Sequence, residues 1–174
     1  GCWWIRADMN WNLVSNGGLA IAALAIADVP RYKQDAARAL AFSAQGFPLA
    51  LAQYGPAGAW PEGPHYWSYA TKYTIATIEC LSATGDETYQ HSPGVNTTAL
   101  YALQTYGTPT GLLWNYGDTD EAAEDGAGYG TDGMRTSGNL FALARLFPKL
   151  GAAPAFFARR LLSTPAPSQL GNGW

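Results

Sequence analysis

The chain has 174 residues, which is enough for one domain with its own hydrophobic core, and we expect a single domain over residues 1–174. Charged residues make up 13% of the chain, about half of the share usual in soluble proteins. The net charge of −3 argues against a nucleic-acid partner, which would require a basic face. The sequence contains no apolar run of membrane-spanning length, no metal-ligand cluster and no phosphate-binding glycine motif.

Apolar spacing predicts three helices in the first half of the chain. The first covers residues 12–28, where leucines and isoleucines recur among alanines. Pro30 fits the first turn of a second helix, in which Gly46 and Pro48 predict a kink or a break. A third helix is predicted over residues 66–83, with aromatic and small residues at intervals of three or four.

The second half of the chain has a weaker pattern. Residues 95–107 predict a short helix, and residues 110–118 predict an extended stretch. An acidic, glycine-rich loop without an apolar period follows over residues 118–133. Residues 137–147 and 153–162 predict a final pair of helices. Because strand signals are nearly absent, we predict an all-α fold of antiparallel helical hairpins with long irregular loops.

Chemically useful side chains are concentrated at the starts of two predicted helices. The stretch "GAWPEGPHYWSYATKY" at residues 58–73 is rich in tyrosine and tryptophan, and "DMNWNLVSNGG" contributes Asn10 and Asn12. A tyrosine can transfer a proton as a general acid or base, and an asparagine amide can stabilise charge on a carboxylate. Aromatic faces suit sugar rings. Together these groups suit β-elimination from a uronic acid, and Tyr66 is the best candidate because the loop–helix junction exposes it.

Three longer motifs carry a family resemblance. The chain contains "NWNLVSNGGLAIAALAIAD", "GAWPEGPHYWSYATKYTIATIECL" and "PTGLLWNYGD" followed by "LFALARLF", which in combination resemble the heparinase II/III-type polysaccharide lyase family. The resemblance implies part of an incomplete (α/α) toroid, followed in the family by a β-domain that these residues do not contain. It also implies a lyase, with no cofactor, that acts on an alginate- or glycosaminoglycan-like acidic polysaccharide. With the sequon "NTT" at Asn96, it favours a secreted, extracellular or periplasmic location.

The resemblance also implies roles for individual residues. The family's carboxylate-binding asparagine falls on Asn12 as first choice and Asn10 as second, and its acid–base tyrosine falls on Tyr66. Relatives that carry a histidine after either residue are not matched here. Trp60 and Trp67 are expected to stack on the sugar. The neighbouring polar and aromatic residues expected to bind substrate are Trp11, Trp60, Glu62, His65, Trp67, Tyr69 and Tyr73.

Each of these residues also has a structural interpretation. Asn12 would cap the helix that follows it, and Glu62 would support the loop by accepting backbone hydrogen bonds. His65 would be a solvated turn residue. Tyr69 and Tyr73 lie at helical spacing from Tyr66, which is also typical of residues that line a core.

Two other functions remain open at this point. In a helical hydrolase, Glu62 would form a carboxylate pair with Asp8 or Asp118. In a non-catalytic module, the aromatic residues would bind carbohydrate without turning it over. Three cationic residues are candidates for steering an acidic sugar, or are ordinary solvated charges: Arg6, Lys72 and Arg135.

The lyase interpretation makes one geometric demand. The two polar motifs stand at helix starts separated by one helix that reverses the chain. We therefore expect the loop at residues 55–65 to lie on the same rim as residues 10–12, because both must reach one sugar unit.

Overall fold

The computed structural model describes residues 2–105, 116–117 and 127–163, with side chains described from residue 136 onward in the last range. All regular secondary structure in these ranges is helical, which confirms the all-α prediction. Among the residues described, none of the helices combines the length and apolar character that a bilayer crossing requires. Six α-helices are present in these ranges: α1 (Asn10–Ile26), α2 (Lys33–Leu51), α3 (Pro64–Ser82), α4 (Thr98–Thr105), α5 (Ala127–Leu146) and α6 (Ala153–Ser163).

The first and third helices each begin two residues earlier than predicted. The N-cap of α1 is Met9, whose backbone is extended, and no side-chain cap is made there. Asn12 therefore lies inside the first turn, and its predicted capping role is wrong. Pro64 is the first residue of α3, where its missing N–H costs nothing, and Gly63 before it has a φ of +95°.

Of the kink or break predicted in the second helix, the break is wrong, because α2 is continuous from Lys33 to Leu51. Pro48 lies on the exposed side of the last helical turn. Gly46 is buried, and a Cβ atom there would collide with the carbonyl oxygen of Ile5. This glycine therefore permits close approach of the N-terminal segment to α2, rather than ending the helix.

The loop predicted over residues 118–133 is wrong from Ala127 onward, because α5 begins there, and residues 118–126 lie outside the described residues. Helix propensity is a weak prior, and the glycines of this segment lower it without forbidding a helix. The predicted extended stretch at residues 110–118 lies outside the described residues except for Tyr116 and Gly117. The short helix of the second half is confirmed as α4, preceded by a 3-10 turn over Val95–Thr97.

The helices enclose one aromatic and aliphatic core. α1 packs against α2 and α3, and α5 packs against α3 and α6. Asn12 contacts Gly46 while Asn16 contacts Ser43, so α1 and α2 run in opposite directions. The largest fully buried hydrophobic side chains are Trp60, Trp67, Tyr54, Phe47, Leu13 and Leu51.

Tyr54 is a buried residue that packs against the loop preceding α3. Its ring packs on Trp60 with centroids 4.8 Å apart, and its hydroxyl makes a hydrogen bond of 2.9 Å with Thr71. Burial raises the pKa of the Tyr54 phenol to about 12, so the group is neutral at physiological pH. This loop therefore rests on packed, uncharged side chains.

Candidate functional site

The loop before α3 is tied to α4 by one threonine. The Thr98 hydroxyl donates a hydrogen bond of 2.6 Å to the Gly58 carbonyl and accepts one of 2.7 Å from the Trp67 indole N–H. Gly58 has a φ of +85°, and a Cβ atom there would collide with the Thr98 backbone. The glycine is therefore required by both its conformation and the close contact.

The carboxylate of Glu62 joins this loop to the start of α1. Its Oε2 accepts hydrogen bonds from the Asn10 backbone N–H at 2.8 Å and from the Trp60 indole at 3.1 Å. Its Oε1 accepts a hydrogen bond of 2.7 Å from the Asn10 side-chain amide. These bonds confirm that the loop at residues 55–65 lies next to residues 10–12 in the fold.

Glu62 thereby satisfies one of the backbone N–H groups that every helix start leaves without a helical partner. A negative charge at this end of α1 also interacts favourably with the helix dipole. The structure thus supports a structural role for Glu62. Its carboxylate joins the loop to Asn10, the first residue of α1.

We expect Glu62→Gln to lower the free energy of unfolding by about 1–2 kcal/mol, because a neutral amide replaces a charged acceptor of three hydrogen bonds. Chemical denaturation measures this change. The matched control is Glu79→Gln, which breaks an exposed ion pair with Arg145 and should cost less than about 1 kcal/mol. Equal losses in the two variants would contradict the capping role of Glu62.

Asn10 and Asn12 are both buried, with Asn10 4% exposed, but they have different hydrogen-bond partners. The Asn12 side chain is 0% exposed, and its Nδ2 donates to the carbonyls of Ile5, Ala7 and Gly46 at 3.3, 2.6 and 2.9 Å. Its Oδ1 accepts a hydrogen bond of 2.8 Å from Asn16. Asn12 therefore connects the N-terminal segment, α1 and α2, and its hydrogen-bonding groups are all engaged inside the protein.

Trp60, in the loop before α3, and Trp67, in α3 itself, lie in the core. Trp60 and Trp67 are each 0% exposed, and their indole N–H groups donate to Glu62 and Thr98. Neither ring presents a face to solvent, because Tyr54 and Tyr101 pack against them. Their predicted role as sugar-stacking faces thus finds no open surface in this structure.

Trp11 is the predicted aromatic residue that does face solvent, with 54% of its surface exposed. Its ring meets the edge of Trp3, which is 62% exposed, at a centroid distance of 6.1 Å. Since Asn10 precedes Trp11 directly, this exposed indole pair lies beside the Glu62 contact.

Tyr66 lies in the first turn of α3, four residues after Glu62. Its ring is half-buried and meets His65 edge to face, with centroids 5.5 Å apart. Tyr69 and Tyr73 follow on the same face of the helix and contact each other at 5.2 Å. The Lys72 ammonium lies 5.5 Å from the Tyr73 ring. The structure thus brings the predicted phenols into one partly exposed row along α3.

Tyr116, Gly117 and Thr98 contact the loop before α3, although no sequence motif predicts a site role for them. Tyr116 donates a hydrogen bond of 3.0 Å to the carbonyl of Trp60, and Gly117 lies against the Glu62 backbone. Tyr116 and Gly117 lie in "WNYGD", which carries part of the family resemblance, and Thr98 is the last residue of the sequon "NTT".

The remaining candidates are more scattered. Arg6, Lys72 and Asp8 are exposed. The positions of Asp118 and of the Arg135 side chain lie outside the described residues. Over the described part of the chain, no three histidine, cysteine or acidic residues converge in a way that would hold a metal ion. The described site contains phenol, amide and carboxylate groups, together with the His65 imidazole beside Tyr66.

Neither a protein-family model nor a curated protein matches this chain in sequence.

Proposed function

We propose that this chain is the helical part of a polysaccharide lyase that cleaves uronate-containing polysaccharides by β-elimination. The observation that carries the proposal is the pairing of Asn10 with Glu62, which places an amide and the loop leading into Tyr66 side by side. The sequence resemblance suggests the reaction class, and the Asn10–Glu62 contacts support a shared site for the amide and Tyr66.

In the proposed reaction, Tyr66 as phenolate removes the C5 proton of the uronate. The electron pair of that C–H bond forms the C4–C5 double bond, while the C4–O bond breaks and its electrons go to the leaving oxygen. The phenol then returns the proton to that oxygen, so that atoms and charge balance. The proton transfers are general acid–base steps of a kind that one positioned phenol can perform.

We assign the carboxylate-binding amide to Asn10 rather than to Asn12. The Asn12 amide already donates to three carbonyls, so it has no hydrogen left for a ligand. The Asn10 Nδ2 donates one hydrogen to Glu62, and we assign its second hydrogen to the uronate carboxylate. There it would stabilise the charge that develops as the C5 proton leaves.

We further propose that the described helices form part of an (α/α) toroid and that a β-domain of the parent protein completes the cleft. The packing of α1 on α2 and α3, and of α5 on α3 and α6, supports a layered helical array. Trp11 and the row of tyrosines on α3 are the proposed sugar-contacting side chains, because they are the predicted aromatics with exposed or half-exposed rings.

A hydrolase with Glu62 as one of two catalytic carboxylates is a weaker candidate. Both oxygens of Glu62 already accept hydrogen bonds within the protein, which suits positioning better than proton transfer to a substrate. Asp8, one of its two candidate partners, is an exposed residue just before α1.

The deciding experiment incubates the complete protein with alginate, heparan-type and hyaluronan-type polysaccharides. A lyase yields products with a conjugated double bond, which absorb ultraviolet light, whereas a hydrolase yields new reducing ends without that absorbance. Ultraviolet-absorbing product from one of these substrates supports the proposal. New reducing ends alone would assign a hydrolase, and binding without cleavage would assign a non-catalytic module.

A further inference from the structure

We propose that Tyr116 and Gly117 form a latch that holds the Glu62 loop, making Tyr116 a positioning residue for the reaction. The latch is defined as these two residues together with their contacts to residues 60–62. Its catalytic consequence rests on the proposed function, while its effect on the loop does not.

The first contact of the latch is a chain of two phenols. The Tyr116 hydroxyl donates a hydrogen bond of 3.0 Å to the Trp60 carbonyl, and it lies 2.8 Å from the Tyr101 hydroxyl. Because Tyr116 uses its hydrogen on Trp60, the Tyr101 hydroxyl is the donor between the two phenols. The Trp60 carbonyl also accepts the Gly63 N–H at 3.2 Å, so both of its lone pairs are engaged.

The second contact is the approach of Gly117 to the peptide after Glu62. A Cβ atom at Gly117 would lie 2.9 Å from both the carbonyl carbon and the carbonyl oxygen of Glu62. Gly117 also has a φ of +74°, a conformation that side-chain-bearing residues rarely adopt. Glycine is thus required for the backbone to pass this close to the loop.

The two contacts hold the backbone at and just before Glu62, the residue that binds Asn10. The Glu62 carboxylate accepts hydrogen bonds from Asn10 at the start of α1 and from the Trp60 indole. The latch contacts the backbone of Trp60 and of Glu62. Movement of this backbone would shift the Glu62 carboxylate and the amide bound to it. A small displacement of a group that orients substrate is costly to catalysis.

Tyr116→Phe tests the latch, because it keeps the ring and removes the hydroxyl. Hydrogen–deuterium exchange read by mass spectrometry should show the peptides covering residues 59–63 and 9–12 exchanging about fivefold faster, the factor expected for one lost hydrogen bond. Tyr101→Phe is the matched control, since Tyr116 still donates to Trp60 there, and its effect should be smaller. Gly117→Ala should give the same loop opening by another route.

The kinetic readout separates positioning from substrate binding. On the uronate polysaccharide that the protein cleaves, Tyr116→Phe should lower kcat by about fivefold or more while KM changes little. Unchanged exchange at residues 59–63 and 9–12 in both Tyr116→Phe and Gly117→Ala would overturn the latch. If the wild-type protein cleaves no uronate polysaccharide, the proposed function fails, and the exchange measurement still decides whether the latch exists.

Discussion

Tyr66→Phe should lower kcat by roughly 100-fold or more while leaving KM nearly unchanged, because the substitution keeps the ring and removes the proton-transferring hydroxyl. The measurement is steady-state formation of the ultraviolet-absorbing product by the complete enzyme. The half-buried ring of Tyr66 packs against the hydrophobic core, and phenylalanine retains that packing. The loss should therefore fall on the chemical step rather than on folding.

Tyr32→Phe is the matched control for this experiment. Tyr32 lies in the turn between α1 and α2, where its ring contacts the Arg31 guanidinium at 4.3 Å, and it has no place in the proposed site. Its turnover should equal that of the wild type. Intact turnover in Tyr66→Phe, together with complete loss in Glu62→Gln, would reject the lyase mechanism in favour of the hydrolase.

Asn12→Ala should destabilise the fold by about 3 kcal/mol or more. It removes the donor to the carbonyls of Ile5, Ala7 and Gly46 and the acceptor for Asn16, and unpaired buried groups cost about 1–3 kcal/mol each. In a chain of this size, such a loss lowers Tm by roughly 10 °C. Thermal unfolding followed by circular dichroism measures the change.

Asn96→Ala provides the comparison, because Asn96 is exposed and its substitution should change stability by less than about 0.5 kcal/mol. A normal Tm in Asn12→Ala, combined with a large fall in kcat, would show that Asn12 acts on the substrate. That result would restore the first assignment that the family resemblance implied and would displace Asn10.

Several features of this protein follow from local sequence. Apolar residues at intervals of three and four predicted α1 and α3 to within two residues, since an amphipathic period reflects the geometry of one helix. The proximity of the Asn10 motif to the Glu62 loop also followed, because a helix that reverses the chain returns it to the same end. Residue types indicated amide, phenol and carboxylate groups as the main chemistry of the site.

The orientation of individual side chains did not follow from local sequence. Positions 10 and 12 of one helix point about 160° apart, so their shared motif could not tell which amide meets the Glu62 loop and which meets the N-terminal segment and α2. Trp60 and Trp67 are residues that commonly stack on sugars, but both are buried here. Tyr54 packs against Trp60, and Tyr101 and Thr98 contact Trp67. Burial is the sum of contacts between distant segments, and no local pattern contains that sum.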